Sequence, residues 1–317
     1  MSRVEGGDLS PVRLDRGVTS RLVDLAALRA FLVAHAVPGL DVLQALPDGS
    51  SRHHRMVRAG GHDVVLAAVL PAGAVGTPAL EVQGEADAVP AALATGHRWV
   101  GLDADPGRAV RALAHDPVLG PLVRARPHLR VPGSTGAFET AVLVVLGQHV
   151  SLAAGRRFAA RLVEAHAVQA PEDPAAGRRH DPAPAPPLRL SRFPAPEVLA
   201  ALDPVELQRT VGVTSARART VVGLARAVAD GILTLDHSAE VREALLAIPG
   251  IGPWTADLVR LRALRDPDVF LPGDLVLRRA LGGAPAARAA ALAEAWRPHR
   301  SLAVLHLWTA HAIDPRP

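Results

Sequence analysis

The stretch Ile248-Pro249-Gly250-Ile251-Gly252-Pro253-Trp254-Thr255-Ala256 lies between two segments of helical apolar spacing, and Asp274 follows Gly252 by 22 residues. Gly250 and Gly252 can take backbone angles that a side chain would block, and neither has a Cβ to hold a phosphate away. Ile251 between them can plug the turn onto the apolar faces of the two helices. The N–H groups within residues 252–255 (all but Pro253, which has none), at the start of the second helix, have no intrahelical acceptor and favour an anion. Pro249, Gly250, Ile251, Gly252 and Thr255 thus form a candidate clamp for a phosphodiester backbone. Carbonyls near Ile248 and Gly250 are candidate ligands for a monovalent Na+ or K+ ion that bridges to the phosphate. A tight turn using glycine for geometry alone is the competing reading.

Working outward, the hairpin sits in an all-helical second half. Helices are predicted at 196–201, at 204–210 after Asp203 as N-cap, and at 215–230 capped by Ser215 and closed by Gly231. Ser238, Glu240 and Glu243 open the helix that runs to residue 247, and 254–264 is its partner. Segments 275–281, 285–295 and 299–312 complete the chain. Upstream, helices are expected at 107–114, 135–150 and 152–166. The last of these carries a basic edge of Arg156, Arg157 and Arg161 that reads as solvent-facing. Residues 169–187, rich in proline and alanine, read as a flexible linker. The first hundred residues differ. After a fraying start at 1–10, a helix over 24–36 precedes strand-like runs at 53–57, 63–69 and 79–83 separated by Gly-Gly and Pro-Ala-Gly, then a second helix over 85–95. The fold class is α+β: a small antiparallel-sheet domain over 1–100, a helical domain over 131–265, and a second helical domain from 101–130 plus 266–317.

Composition excludes several chemistries. The 317 residues include no cysteine and no lysine, so disulfides, thiolate metal sites and amine nucleophiles on lysine are absent. Histidines show no carboxylate spacing suited to a metal site. Every one of the 35 basic side chains is arginine, which suits bidentate phosphate contacts. Residues 1–100 hold 9 arginines against 10 acids and the remainder 26 against 21, an excess that permits a polyanionic partner. With no apolar run near membrane-spanning length, a cytoplasmic protein with no membrane partner is expected.

Four motifs carry a resemblance: Leu146-Gly147-Gln148-His149-Val150-Ser151, the hairpin itself, Asp268-Val269-Phe270-Leu271-Pro272-Gly273-Asp274, and Trp296-Arg297-Pro298 with Leu307-Trp308. In this order they resemble the helix-hairpin-helix DNA glycosylases, specifically the 3-methyladenine DNA glycosylase II family. The resemblance implies an α+β domain followed by two helical domains. It also implies damaged double-stranded DNA as partner, a monomer, no required cofactor, and release of alkylated bases to leave an abasic site. Asp274 matches the family's catalytic aspartate, and a helix N-cap role for it can coexist. Trp254 stands where strand-cleaving relatives carry a Schiff-base lysine, which points to a glycosylase without lyase activity. Trp254 and Trp308 match the walls of the base pocket, although either can be core packing. Leu258 and Thr309 replace tyrosines of relatives and make the pocket less aromatic. His149 matches the side chain pushed into the gap left by the flipped base, and Gln148 contacts the opposite strand or holds that wedge. The alternative for His149 is a surface residue at a helix end. Deaminated or oxidised bases, or a damage-binding protein with little catalysis, are the competing functions.

Overall fold

The computed structural model describes residues 22–169 and 189–314. The expected fraying start at 1–10 and the 169–187 linker, beyond residue 169 itself, lie outside the described residues. The N-terminal part is a four-stranded antiparallel sheet in the order β2-β3-β4-β6, formed by β2 (Asp41–Ala45), β3 (Ser51–Ala59), β4 (His62–Leu70) and β6 (Ala79–Gln83). A two-residue ladder joins β1 (Val23–Asp24) to β5 (Val75–Gly76). Gly60 and Gly61, both at positive φ, form the two-residue turn between β3 and β4, since Ala59 pairs with His62. Helices α1 (Leu25–His35) and α2 (Val89–Trp99) cover the sheet through Leu25, Leu28, Phe31 and Trp99. The Asp24 carboxylate caps α1 by accepting from the Ala27 N–H at 2.8 Å.

Among the described residues, the remainder is helical apart from one short ladder. In chain order it comprises α3 (Gly107–Leu113), α4 (Leu119–Ala125), α5 (Ala137–Leu146) and α6 (Leu152–His166). The ladder of β7 (Val168–Gln169) with β8 (Ser191–Arg192) precedes α7 (Pro196–Ala200), α8 (Pro204–Val211), α9 (Ser215–Ala229) and α10 (Val241–Leu246). Then come α11 (Pro253–Val259), α12 (Leu275–Ala280), α13 (Ala286–Ala293) and α14 (Arg300–Trp308). Single π-turns extend α11 and α14. The apolar faces gather into two further cores. One joins α5, α6 and α8–α11 through Val145, Leu162, Leu207, Val221, Leu245 and Ile251. The other joins α3, α4 and α12–α14 through Leu119, Leu271, Leu277, Trp296 and Leu307. An α+β region followed by helical domains is therefore the observed fold class.

Several local readings change. The helix expected over 135–150 ends at Leu146, because the chain reverses at His149, which has φ 54°. Thr214, not Ser215, caps α9 by accepting from the Arg217 N–H at 3.3 Å. Ser238 caps nothing; its own N–H is bound by Asp236, and α10 starts without a side-chain cap. The basic edge of α6 is partly inward: Arg156 donates to the Ala36 carbonyl at 2.6 Å and Arg161 to the Val211 carbonyl at 3.2 Å.

Buried arginines join the N-terminal region to the helices. Arg55 of β3 reaches Asp41 at 3.2 Å, Glu139 of α5 at 2.7 Å and the Thr135 hydroxyl at 2.7 Å, so its charge is fully met. Arg262 lies over the Phe31 ring at 4.5 Å and donates to His35 Nε2 at 3.0 Å, which makes that nitrogen the acceptor and Nδ1 the donor to the Phe31 carbonyl. Burial and the neighbouring Arg262 charge hold His35 down at about 3, neutral in the fold.

Candidate active site and DNA-facing hairpin

The turn between α10 and α11 is built around Gly250. Its φ is 92°, and a Cβ there would fall 2.0 Å from the Thr220 hydroxyl. That hydroxyl, on α9, donates to the Pro249 carbonyl at 2.9 Å and to the Ala216 carbonyl at 3.0 Å as alternative acceptors. Position 250 therefore excludes every side chain, sterically and conformationally. Gly252 is different. Its φ of −93° and ψ of 176° are open to any residue, and a Cβ would meet nothing within 4 Å. The expectation that both glycines satisfy backbone geometry is corrected: at 252 the missing side chain matters only for what approaches from outside. Ile251 is 5% exposed and plugs the turn into the core, as its spacing implied.

Thr255 contributes differently from the glycines. The side chain is buried, and its hydroxyl accepts from Gln148 Nε2 at 2.9 Å, so its place in the candidate clamp rests on its backbone N–H alone. The same Gln148 amide donates to the Gly250 carbonyl at 3.0 Å. Of the two candidate cation ligands, the Gly250 carbonyl thus already takes a side-chain donor and the Ile248 carbonyl takes the Ile251 N–H at 3.0 Å. His149, next to Gln148, is exposed.

Asp274 caps α12: Oδ1 accepts from the Leu277 N–H at 3.0 Å and from the Trp308 indole N–H at 3.2 Å. Among the described residues none donates to Oδ2, and the side chain is partly open to solvent. Trp254, Leu258 and Trp308 are half-buried and pack on the same core as α12, and α12 and α14 bring the Trp308 indole to the Asp274 carboxylate. Thr309 does not belong there. It is 1% exposed and lines a small internal cavity with Asp24, Ala27 and Ile313. One step along a helix turns a side chain by about 100°, which carries residue 309 away from the flank that holds Trp308.

A cleft of about 320 Å³ opens nearby, lined by Arg242, Arg260, Arg297 and Arg300, but not by Asp274, Trp254 or Trp308. Each of these arginines is ion-paired, through Asp257, Asp266, Asp268 or Glu294, so the cleft is braced by its own acids and offers no free guanidinium. The described residues contain no metal-binding group of three His, Asp or Glu side chains, and no helix long and apolar enough to cross a membrane. Thr220 and Arg217 escaped the sequence reading; each acts through a tertiary contact without local spacing to announce it.

Residues 22–136 match the AlkA N-terminal domain family. The "Probable bifunctional transcriptional activator/DNA repair enzyme AlkA" of Mycobacterium tuberculosis is 39% identical over 235 residues, 71% of this chain and 44% of that protein. The chain belongs to the AlkA-like helix-hairpin-helix glycosylase superfamily. It thus spans less than half the length of this mycobacterial relative. A second AlkA-like relative, the DNA-3-methyladenine glycosylase 2 of Escherichia coli K12, is 36% identical over 200 residues, 62% of this chain and 66% of its own length. The 3-methyladenine DNA-glycosylase from Archaeoglobus fulgidus shares the AlkA-like fold, with a TM-score of 0.73 at 21% identity over 95% of this chain and 98% of that one.

Proposed function

We propose that this chain is a monofunctional DNA glycosylase that hydrolyses the N-glycosidic bond of alkylated bases of the 3-methyladenine type in duplex DNA. The observation that carries the reading is Asp274: one carboxylate oxygen is fixed by Leu277 and Trp308, and the other has no donor among the described residues. Departure of a base leaves the sugar oxocarbenium-like, and an ionised carboxylate beside C1′ stabilises that developing charge and orients the attacking water. The base must leave the stack first. Trp254 and Leu258 offer it an apolar, electron-rich wall, on which a ring made cationic by methylation stacks well. The Gly252 edge of the hairpin and the first N–H groups of α11 hold the phosphodiester. A Na+ or K+ ion fits this picture only through second lone pairs, since both candidate carbonyls already accept a hydrogen bond. With no lysine, an imine route to strand cleavage from a lysine amine is closed.

The test is a panel of duplexes bearing single alkylated, deaminated or oxidised bases, treated with hot alkali after incubation and resolved by strand length. Alkylated duplexes should be cut only after alkali. Scission without alkali would contradict the monofunctional reading, and preferential release of deaminated or oxidised bases would replace the substrate class. Asp274→Asn keeps a good helix cap and removes only the charge, so it should bind abasic DNA while releasing base about 100- to 1000-fold more slowly.

A further inference from the structure

The exposed His149 turn is held from two sides. A non-glycine residue at φ 54° costs on the order of 1 kcal/mol, so the conformation depends on its neighbours. On the backbone side, the Gln148 carbonyl accepts from the Arg217 guanidinium, itself packed over Phe158 at 5.7 Å. On the side-chain side, both hydrogens of the Gln148 amide are used: one on the Gly250 carbonyl at 3.0 Å, the other on the Thr255 hydroxyl at 2.9 Å. Those acceptors belong to the hairpin turn and the first turn of α11. We infer that Gln148 is a positioning residue that locks the His149 turn to the glycine hairpin, so that gripping the phosphodiester and filling the space of a displaced base occur as one coupled event. The inference rests on the DNA-glycosylase reading and deepens it.

The coupling follows from geometry. The φ of 92° at Gly250 sets where its carbonyl points, and Thr220, standing where a Cβ would be, holds the preceding carbonyl the other way. A movement of the hairpin toward or away from DNA therefore displaces the Gly250 carbonyl and Thr255 together, and Gln148 carries the displacement one residue along the chain to His149. Since no N–H of the Gln148 amide is left over, its contribution to the opposite strand through donation is excluded while both bonds stand. Its role lies between protein parts.

The experiment uses the full chain and a duplex with a tetrahydrofuran abasic analogue beside 2-aminopurine, whose fluorescence rises when its stacking neighbour is displaced. Gln148→Ala should lower affinity for this duplex by about tenfold and cut the fluorescence rise at saturating protein. Thr255→Val should weaken binding by about threefold, and in the Gln148→Ala background should add nothing, because the bond it removes is already gone. Unchanged affinity and fluorescence in Gln148→Ala, or fully additive losses in the double variant, would overturn the tether. If Gln148→Ala does not fold, Gln148→Glu, which replaces both donor hydrogens with an acceptor, takes its place under the same two criteria. Base release is measured separately on alkylated duplexes: a parent that releases nothing sinks the activity reading, while the abasic duplex still judges the tether.

Discussion

The hairpin side of the site and the Asp274 side are organised on opposite principles. On the hairpin side the backbone is presented outward and side chains are packed behind it: Thr220 fills the space where residue 250 would carry a Cβ, Ile251 enters the core, and Thr255 turns inward to Gln148. On the Asp274 side the backbone is concealed in the cap of α12 and the side chains are presented outward, with a half-buried carboxylate beside the half-buried Trp308 indole. The difference teaches which substitutions should be lethal to structure and which only to chemistry. A backbone-presenting surface tolerates nothing where the turn is packed, whereas a side-chain-presenting one can lose a functional group and stay folded.

The largest expected effect probes the chemical side. Asp274→Asn should leave the melting temperature within a few degrees and cost two to three orders of magnitude in base release, measured in single turnover. A large loss of stability instead would mean that the carboxylate is mainly a structural cap. Gly250→Ala probes the other side: positive φ and a clash with Thr220 should cost ~3 kcal/mol of stability, read by denaturant unfolding, and reduce DNA affinity with it. Tolerance of alanine there would break the contrast. Trp308→Phe keeps an aromatic face and removes the indole donor to Asp274. The expected result is about a tenfold slower saturated rate with affinity for an abasic duplex unchanged within about twofold; a purely stacking wall would reverse that pattern.

A smaller effect appears with pH. Burial, with the Arg126 charge nearby, lowers His306 to about 4, and neither ring nitrogen has a hydrogen-bond partner among the described residues. The neutral ring is thus the folded form and unfolding takes up a proton. This contribution is complete above about pH 6.5 and is lost as pH falls toward 4, amounting to ~2 kcal/mol by about pH 5. His306→Leu should flatten the fall in unfolding free energy between pH 6.5 and 5; an unchanged slope would assign the effect to His35 and His53, which burial also depresses. The smallest change is expected at Gly252→Ala, within ~0.5 kcal/mol in stability because a Cβ there meets open space, yet weaker by a few-fold for DNA.

How much of this could be read in advance follows the range of the interactions. The hairpin, the Asp203 and Asp274 caps and the long helices α6 and α9 are encoded within a few residues, and they stand where the sequence puts them. The strand β2 was missed because Asp41–Ala45 leaves no strongly buried face, being an edge strand beside β3. Helix α4, only seven residues long with Gly120 and Pro121 in its first turn, has too little apolar period to show. At the site, Asp274 and Trp254 were marked by their motifs. The bonds from Gln148 to the hairpin span more than a hundred residues, and the inward turns of Thr255 and Thr309 depend on which helix covers them. No local pattern encodes such facts.

Arg55 gives the first hundred residues a significance that their lack of any site residue would hide. Losing any one of Asp41, Glu139 or Thr135 would strand part of a guanidinium out of reach of water, while α5, which carries Glu139, leads directly into the His149 turn. Sheet and helix can therefore drift apart in sequence only if these four positions change in concert, and truncating the sheet would unseat the His149 turn from a distance.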